Sequence, residues 1–261
     1  MSPPSNRSEP AIRRIAVALA RFVKNPIRGI IVAVGLVLNR FGLVDCERTR
    51  RTADLAWPRI VTGIARMSKN AVDVAMVGAA LGQFAINGVG LAGPFWGLAF
   101  SVGGGVAAGT VALVSQRYGA ERYDQMGQAI RSSAALVVIF TLPVSALFWL
   151  FPTELISLLT SDPQTIQYGS DYLKILGLGV PFAGLNLIGS RVYIGVDDAW
   201  TPMVVRAGGA LANIAINAVL IFGLNMGVVG AAIGTVISNV AVTAVFTGGL
   251  VVGRLPGTRA F

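Results

Sequence analysis

The sequence predicts an all-α membrane protein with six transmembrane helices behind a basic amphipathic N-terminal arm. Three observations predict it. Of 261 residues, 54% are hydrophobic and only 13% are charged, about half the share of roughly 25% usual in a soluble domain. The mean hydropathy is +0.69. Six apolar stretches follow one another from about residue 54 to 252, each near or above the ~20 residues that cross a hydrocarbon core. A chain with so little polar surface cannot cover a globule in water, so lipid is its solvent over most of its length.

Residues 1–52 form the arm. Between 11 and 24, Ile12, Ile15, Ala16, Leu19, Phe22 and Val23 keep helical spacing, and Arg13, Arg14, Arg21 and Lys24 stand largely off that stripe. This is the pattern of a helix lying on an anionic inner leaflet. Pro26 ends it, and the apolar piece 29–38 is about half as long as a span. The six spans are expected at 54–79, 86–115, 130–151, 168–196, 202–222 and 228–252, together a lobe over 53–252. Turn chemistry or charge separates them at Gly119–Asp124, Thr160–Pro163, Asp197–Asp198 with Pro202, and Gly223–Gly227.

Orientation follows from the Lys and Arg positions. A basic arm places the N-terminus in the cytoplasm, and six spans then return the C-terminus there. Arg117, Arg122, Arg131, Arg191, Arg206, Arg254 and Arg259 fall in or beside the inner connections, whereas the outer connections lack basic residues or are acidic (Glu154, Asp162, Asp171). The expected location is the cell membrane, multi-pass, with both termini cytoplasmic. The opening MSPPSNRSEP is polar and reads as no cleavable signal peptide.

Composition excludes several function classes. There is no histidine and one cysteine, Cys46, which sits in a charged stretch as a bystander. Disulfides, zinc sites and histidine acid–base chemistry fall away. No nucleophile stands beside a base and no carboxylates cluster, so the chain is not expected to be an enzyme, and no organic cofactor is expected. The net charge of +9 does not point to nucleic acid: ten of the 21 basic residues precede residue 52, and most others flank apolar stretches.

Chemistry concentrates in the first span, which holds Arg59, Arg66, Lys69 and Asp73. An aspartate at mid-helix costs about 2.5–3.5 kcal/mol on insertion scales, which makes Asp73 a functional candidate. Lys69 and Asp73 stand one turn apart and can pair on one face. Arg59 can snorkel; Arg66 and Lys69 lie deeper and are expected to face a wet cavity. Pro58 permits a bend. The later spans add neutral oxygen ligands at Asn186, Asn213, Asn217, Thr235 and Asn239. Interhelical hydrogen bonding alone accounts for any one such pair; convergence on Asp73 would build a proton or hard-cation site. Gly103–Gly105 lacks the lysine and the strand-to-helix context of a phosphate loop. Gly105 with Gly109, and Gly230 with Gly234, read instead as packing faces.

Four pieces in register carry a family resemblance. Val72-Asp73-Val74-Ala75-Met76-Val77-Gly78 resembles the first-helix signature of the multidrug and toxic compound extrusion (MATE) transporters. So do Thr110–Ala120 (TVALVSQRYGA), Asn213–Gly223 (NIAINAVLIFG) and Gly227–Thr235 (GVVGAAIGT), and the likeness runs over about 53–252. It implies the N-terminal six-helix lobe of a twelve-helix antiporter, archaeal type, that exports amphipathic or cationic compounds against Na⁺ or H⁺. Carried across, the helix-1 aspartate maps to Asp73, the helix-1 proline to Pro58, and the polar positions to Asn186, Asn213, Asn217 and Thr235. Where many archaeal-type members have a second aspartate, this chain has Asn217, and Lys69 is unexpected beside a cation site. Asp73 is therefore expected to titrate or to exchange its Lys69 partner, with Na⁺ at Asp73 the alternative. The resemblance also implies that 253–261 begins a linker to a second six-helix lobe, either a missing C-terminal half or another chain. Membrane lipid and a small amphipathic substrate complete the expected partners. A lipid-linked saccharide flippase of the same superfamily and a non-transporting partner subunit are the other readings.

Overall fold

In the computed structural model the described residues are 26–42 and 44–252; the amphipathic stretch 11–24 and the linker 253–261 lie outside them. The helices are α1 (Pro26–Arg40), α2 (Cys46–Leu81), α3 (Gln83–Gly119), α4 (Tyr123–Leu150), α5 (Pro152–Ser157), α6 (Pro163–Leu178), α7 (Val180–Gly195), α8 (Trp200–Ala218) and α9 (Gly227–Val252). No strand occurs among the described residues. The chain divides into two units, 1–61 and 62–261.

Within the first unit, α1 lies close enough to the start of α2 that a Cβ at Gly35 would stand 1.9 Å from the Thr49 methyl. Arg28 pairs with Asp54 across the same contact. The turn between the helices needs Gly42 at φ +70° and is tied by Asn39, whose amide donates to the Val44 carbonyl at 2.6 Å. The helix that carries the first span therefore starts at Cys46, ahead of the expected boundary at 53. It stays helical through Pro58.

In the second unit α3 is the centre, packing on α4, α6 and α7, while α9 packs on α6, α7 and α8. Small residues allow the approach. The buried stripe of α3 is Ala85, Gly88, Val89, Ala92, Ala99, Gly103, Ala107, Thr110 and Val114, its members mostly three, four or seven apart, one face of a helix. At its narrowest crossing, with α6, a Cβ on Gly88 would meet the backbone nitrogen of Gly169 at 2.6 Å. Gly103 lies against Gly184 of α7, where its Cβ would be 3.4 Å from the facing Cα. The expected face at Gly105 and Gly109 is not used in this way: a Cβ on either meets nothing within 4 Å. The helix turns Gly103 inward, and 105 and 109 consequently face out. Large apolar side chains such as Leu98, Leu142, Leu150 and Leu211 stand more than half exposed, the exterior expected of a protein whose solvent is hydrocarbon.

Among the described residues four helices are long and apolar enough to cross a membrane: α3, α4, α8 with the turn after it, and α9. The expected single span 168–196 is instead two helices, α6 and α7, bent by 51° at Gly179, and together they make a fifth. Pro181 is the cause. It has no N–H to give to the carbonyl four residues back. That carbonyl, on Gly177, is satisfied instead by the Ser145 hydroxyl of α4 at 2.7 Å, as a lipid-embedded chain requires. Helix α2 has length to spare at 36 residues, but its charges take it out of the apolar class. The protein is thus a helical, multi-pass membrane protein. Connections are tight: Gly82 alone, at φ +83°, separates α2 from α3, and Glu121, Asp197 and Asn225 take positive φ in the later turns. A π turn at Val219–Gly223 extends α8.

Candidate functional site

Asp73 sits in the second unit on the inward face of α2, 4% exposed. Sequence spacing fixes its first partner: Lys69, one turn earlier, donates from Nζ to Asp73 Oδ2 at 2.6 Å. The second arrives from α8, where Asn217 Nδ2 donates to Asp73 Oδ1 at 2.8 Å and to Asn213 Oδ1 at 3.2 Å. Asn213 Nδ2 in turn donates to the Thr235 hydroxyl oxygen of α9 at 3.3 Å. Three helices are thereby joined in one chain of polar groups running Lys69, Asp73, Asn217, Asn213, Thr235. Both asparagines are fully buried.

Gly234 makes room for the chain. A Cβ there would fall 1.8 Å from Asn217 Oδ1, and that oxygen is buried with no hydrogen-bond partner among the described residues. The site is therefore built with one acceptor in reserve beside the Asp73 carboxylate. It opens on a cavity of about 260 Å³ lined by Lys69, Asp73, Trp96, Tyr172 and Thr235 among others. Tyr172 of α6 is buried, and the sequence reading missed it; its one advance signal is a polar-tipped aromatic inside an apolar segment.

Asn186 does not join this group. Its amide donates to Asn239 Oδ1 at 3.2 Å, and its Oδ1 accepts from the Thr243 hydroxyl at 2.8 Å. Arg206 Nη2 donates to the Asn186 carbonyl at 3.2 Å. The reason is register. Asn239 and Thr243 are one and two turns beyond Thr235 on α9, so α7 meets α9 at a different depth from α8. Arg66, expected to face a wet cavity, lays its guanidinium over the Phe100 ring at 5.4 Å from the centroid. Pro58 belongs to the first unit, where it is buried.

No group of three or more His, Cys, Asp or Glu side chains able to hold a metal occurs among the described residues. At Asp73 both carboxylate oxygens are already taken, one by an ammonium. The other acceptors beside it are neutral oxygens, Asn217 Oδ1 among them, so a hard cation at this group would share its carboxylate with the Lys69 ammonium.

Known proteins share this architecture. A MATE multidrug transporter, DinF-BH, superposes with a TM-score of 0.74 at 24% identity over 80% of this chain and 47% of its own. A MOP-superfamily transporter from Pyrococcus furiosus gives 0.71 at 23% identity, over 78% and 45%. In sequence, the multidrug export protein MepA of Staphylococcus haemolyticus is 31% identical over 55% of this chain and 30% of its own length. The multidrug resistance protein PmpM of Pseudomonas aeruginosa is 30% identical, over 65% and 35%. The chain therefore spans about a third of these two relatives' length and under half of the two solved chains. A family profile described as MatE matches residues 58–219, which take in Lys69, Asp73 and both α8 asparagines, and the chain belongs to that family.

Proposed function

We propose that this chain forms one lobe of a proton-coupled antiporter exporting amphipathic, cationic compounds, with Asp73 as the coupling carboxylate. The observation that supports it is the buried Asp73, paired with an ammonium at 2.6 Å and an amide at 2.8 Å on the wall of a 260 Å³ cavity. The relatives named as multidrug export and resistance proteins point the same way.

The charge inventory suggests the mechanism. With Asp73 ionised, the Lys69 pair is neutral, and the cavity accepts a cation against the faces of Trp96 and Tyr172. A proton taken up at Asp73 Oδ2 removes the only carboxylate among the described residues lining that cavity. The Lys69 ammonium then loses its counter-charge and repels a cationic guest, which favours release. Loss of the proton restores the pair. Asn217 holds the carboxylate in place throughout, and its unpartnered Oδ1 can accept from a protonated Asp73 after a small rotation. Such a cycle needs a second lobe to rock against, from the same polypeptide or another. The basic residues flanking the inner connections support cytoplasmic termini.

The test is ethidium efflux from an efflux-deficient host expressing this chain, alone and with a second six-helix half from a relative. Efflux that disappears in Asp73→Asn, with the protein still inserted, supports the proposal. Efflux unchanged by Asp73→Asn overturns it.

A further inference from the structure

We infer that the Asp73 cavity continues past Gly90 into a second cavity, and that its guest is an elongated amphipathic cation whose length Gly90 controls. The inference rests on the reading of the Asp73 cavity as a cation site and adds the shape of the guest.

The second cavity is larger, about 720 Å³, and is walled by Phe84, Asn87, Gly90, Leu91, Leu159 and Thr165 among others. Gly90 also lines the Asp73 cavity, together with Gly93 and Trp96 of the same helix. Along α3 the wall residues Phe84, Asn87, Gly90, Gly93 and Trp96 follow one another in steps of three, a single row of the helix surface about 18 Å long. On α6 the order is the same: Thr165 belongs to the second cavity, Tyr172 and Leu176 to the first. The two cavities therefore lie end to end along one pair of helices.

What would divide them is missing. A side chain at position 90 would stand at the shared wall, and glycine supplies none. A Cβ on Gly90 or on Gly93 meets nothing within 4 Å, so neither glycine is there to admit a neighbouring helix. Gly88 and Gly103, on the same helix, are the opposite case, each with facing backbone within 3.4 Å of where its Cβ would go. Glycine inside a helix is unfavourable relative to alanine, and at 90 and 93 open space is what it provides. Pro94 adds to the opening. It has no N–H to give to the Gly90 carbonyl four residues back, which leaves that oxygen short of its helical hydrogen bond at the junction.

The chemistry of the two ends differs. The first holds the Asp73 carboxylate, its Lys69 partner and the Trp96 and Tyr172 rings. The second offers apolar surface from Phe84, Leu91 and Leu159 beside the amide of Asn87, while its carboxylate, Asp162, is occupied in capping α6. A guest with its cationic group at Asp73 thus has its uncharged body in the second cavity, where the gain comes from buried apolar surface. A compact cation fills the first cavity alone and takes nothing from the second.

The experiment uses the full chain in nanodiscs, with empty discs subtracted. Binding of ethidium and of the compact cation N-methylpyridinium is measured by isothermal titration calorimetry. Gly90→Leu places a branched side chain in open space at the shared wall; it should weaken ethidium about tenfold and change N-methylpyridinium by less than about twofold. Phe84→Ala, at an exposed position of the second cavity, should weaken ethidium about threefold and spare N-methylpyridinium. Gly105→Leu, on α3 but lining neither cavity, should leave both unchanged. Asp73→Asn should weaken both guests alike, so the two readings part. A Gly90→Leu effect that is equal on both guests, or absent, overturns the inference even where Asp73→Asn abolishes binding. Ethidium-selective losses in Gly90→Leu and Phe84→Ala uphold it even where efflux proves indifferent to Asp73. No ethidium binding by the wild type overturns both.

Discussion

Gly234→Ala is the sharpest structural test of how the Asp73 group is held. The added methyl would lie 1.8 Å from Asn217 Oδ1 and 3.0 Å from its Cγ, so the two cannot coexist in the present arrangement. Asn217 is fully buried, and it can yield only by rotating off its partners. Rotation forfeits a hydrogen bond to a carboxylate, worth about 1.5–3 kcal/mol, and an interhelical-class one to Asn213, worth about 0.6 kcal/mol. If Asn217 holds instead, α8 and α9 must separate, at an overpacking cost of about 1–3 kcal/mol. The two routes together predict a loss of about 1–4 kcal/mol, read by denaturant unfolding in detergent. The cause is separable by a double-mutant cycle. Asn217→Ala loses the same hydrogen bonds but makes room, so Gly234→Ala added to it should cost close to nothing. If the two costs add, the clash is not the mechanism and the account of Gly234 is wrong.

Other consequences can be measured alongside. Lys69→Gln leaves a buried carboxylate without its cation and should destabilise the lobe by about 3–5 kcal/mol, whereas Lys69→Gln with Asp73→Asn should cost much less than the sum of the singles; additive losses in unfolding would deny the pair. Gly88→Ala drives a methyl into the α6 backbone, 2.6 Å from Gly169 N, and should cost about 1–3 kcal/mol, with a wild-type midpoint counting against the close crossing of α3 and α6. Asp162 caps α6 by accepting from the Thr165 N–H at 2.8 Å, and hydrogen bonding to Thr165, from its side chain first and its backbone N–H second, holds the carboxyl below the ordinary carboxylate range. The cap's stability is therefore full above that range and fades as pH falls through the lowered value. Thermal unfolding should lose this acid-side dependence in Asp162→Ala and keep the neutral-pH midpoint in Asp162→Asn, which still caps.

The sequence makes some of this legible and hides the rest for physical reasons. Lys69 with Asp73 and Asn213 with Asn217 are one-turn pairs, and helix geometry alone puts each pair on one face. That Asn217 reaches Asp73 across 144 residues of chain is a tertiary fact, and only the family resemblance foreshadowed it. Asn186 went elsewhere because α7 begins after a 51° bend, which changes the depth at which its side chains meet α9. The Gly179-Val180-Pro181 run carried the signal for that bend, but a continuous apolar stretch masked it. Arg206 looked like a residue of the inner connection by charge counting; packing buries its Nε instead. The face at Gly105 and Gly109 failed because Gly103, in the same helix, is the residue turned inward. Tyr172 escaped notice because nothing in local periodicity distinguishes a cavity wall from a core.

The central claim is that Asp73 exchanges a proton for its Lys69 partner. The most direct measurement is infrared difference spectroscopy of the full chain in nanodiscs, taken between neutral and acidic pH. The account predicts that one component of the protonated-carboxyl band, present beside those of the chain's other carboxyl groups, grows as pH falls, is lost from the wild-type-minus-Asp73→Asn comparison, and diminishes when a cationic compound such as ethidium fills the cavity. Identical bands in wild type and Asp73→Asn, or an Asp73-dependent component indifferent to ethidium, would contradict it.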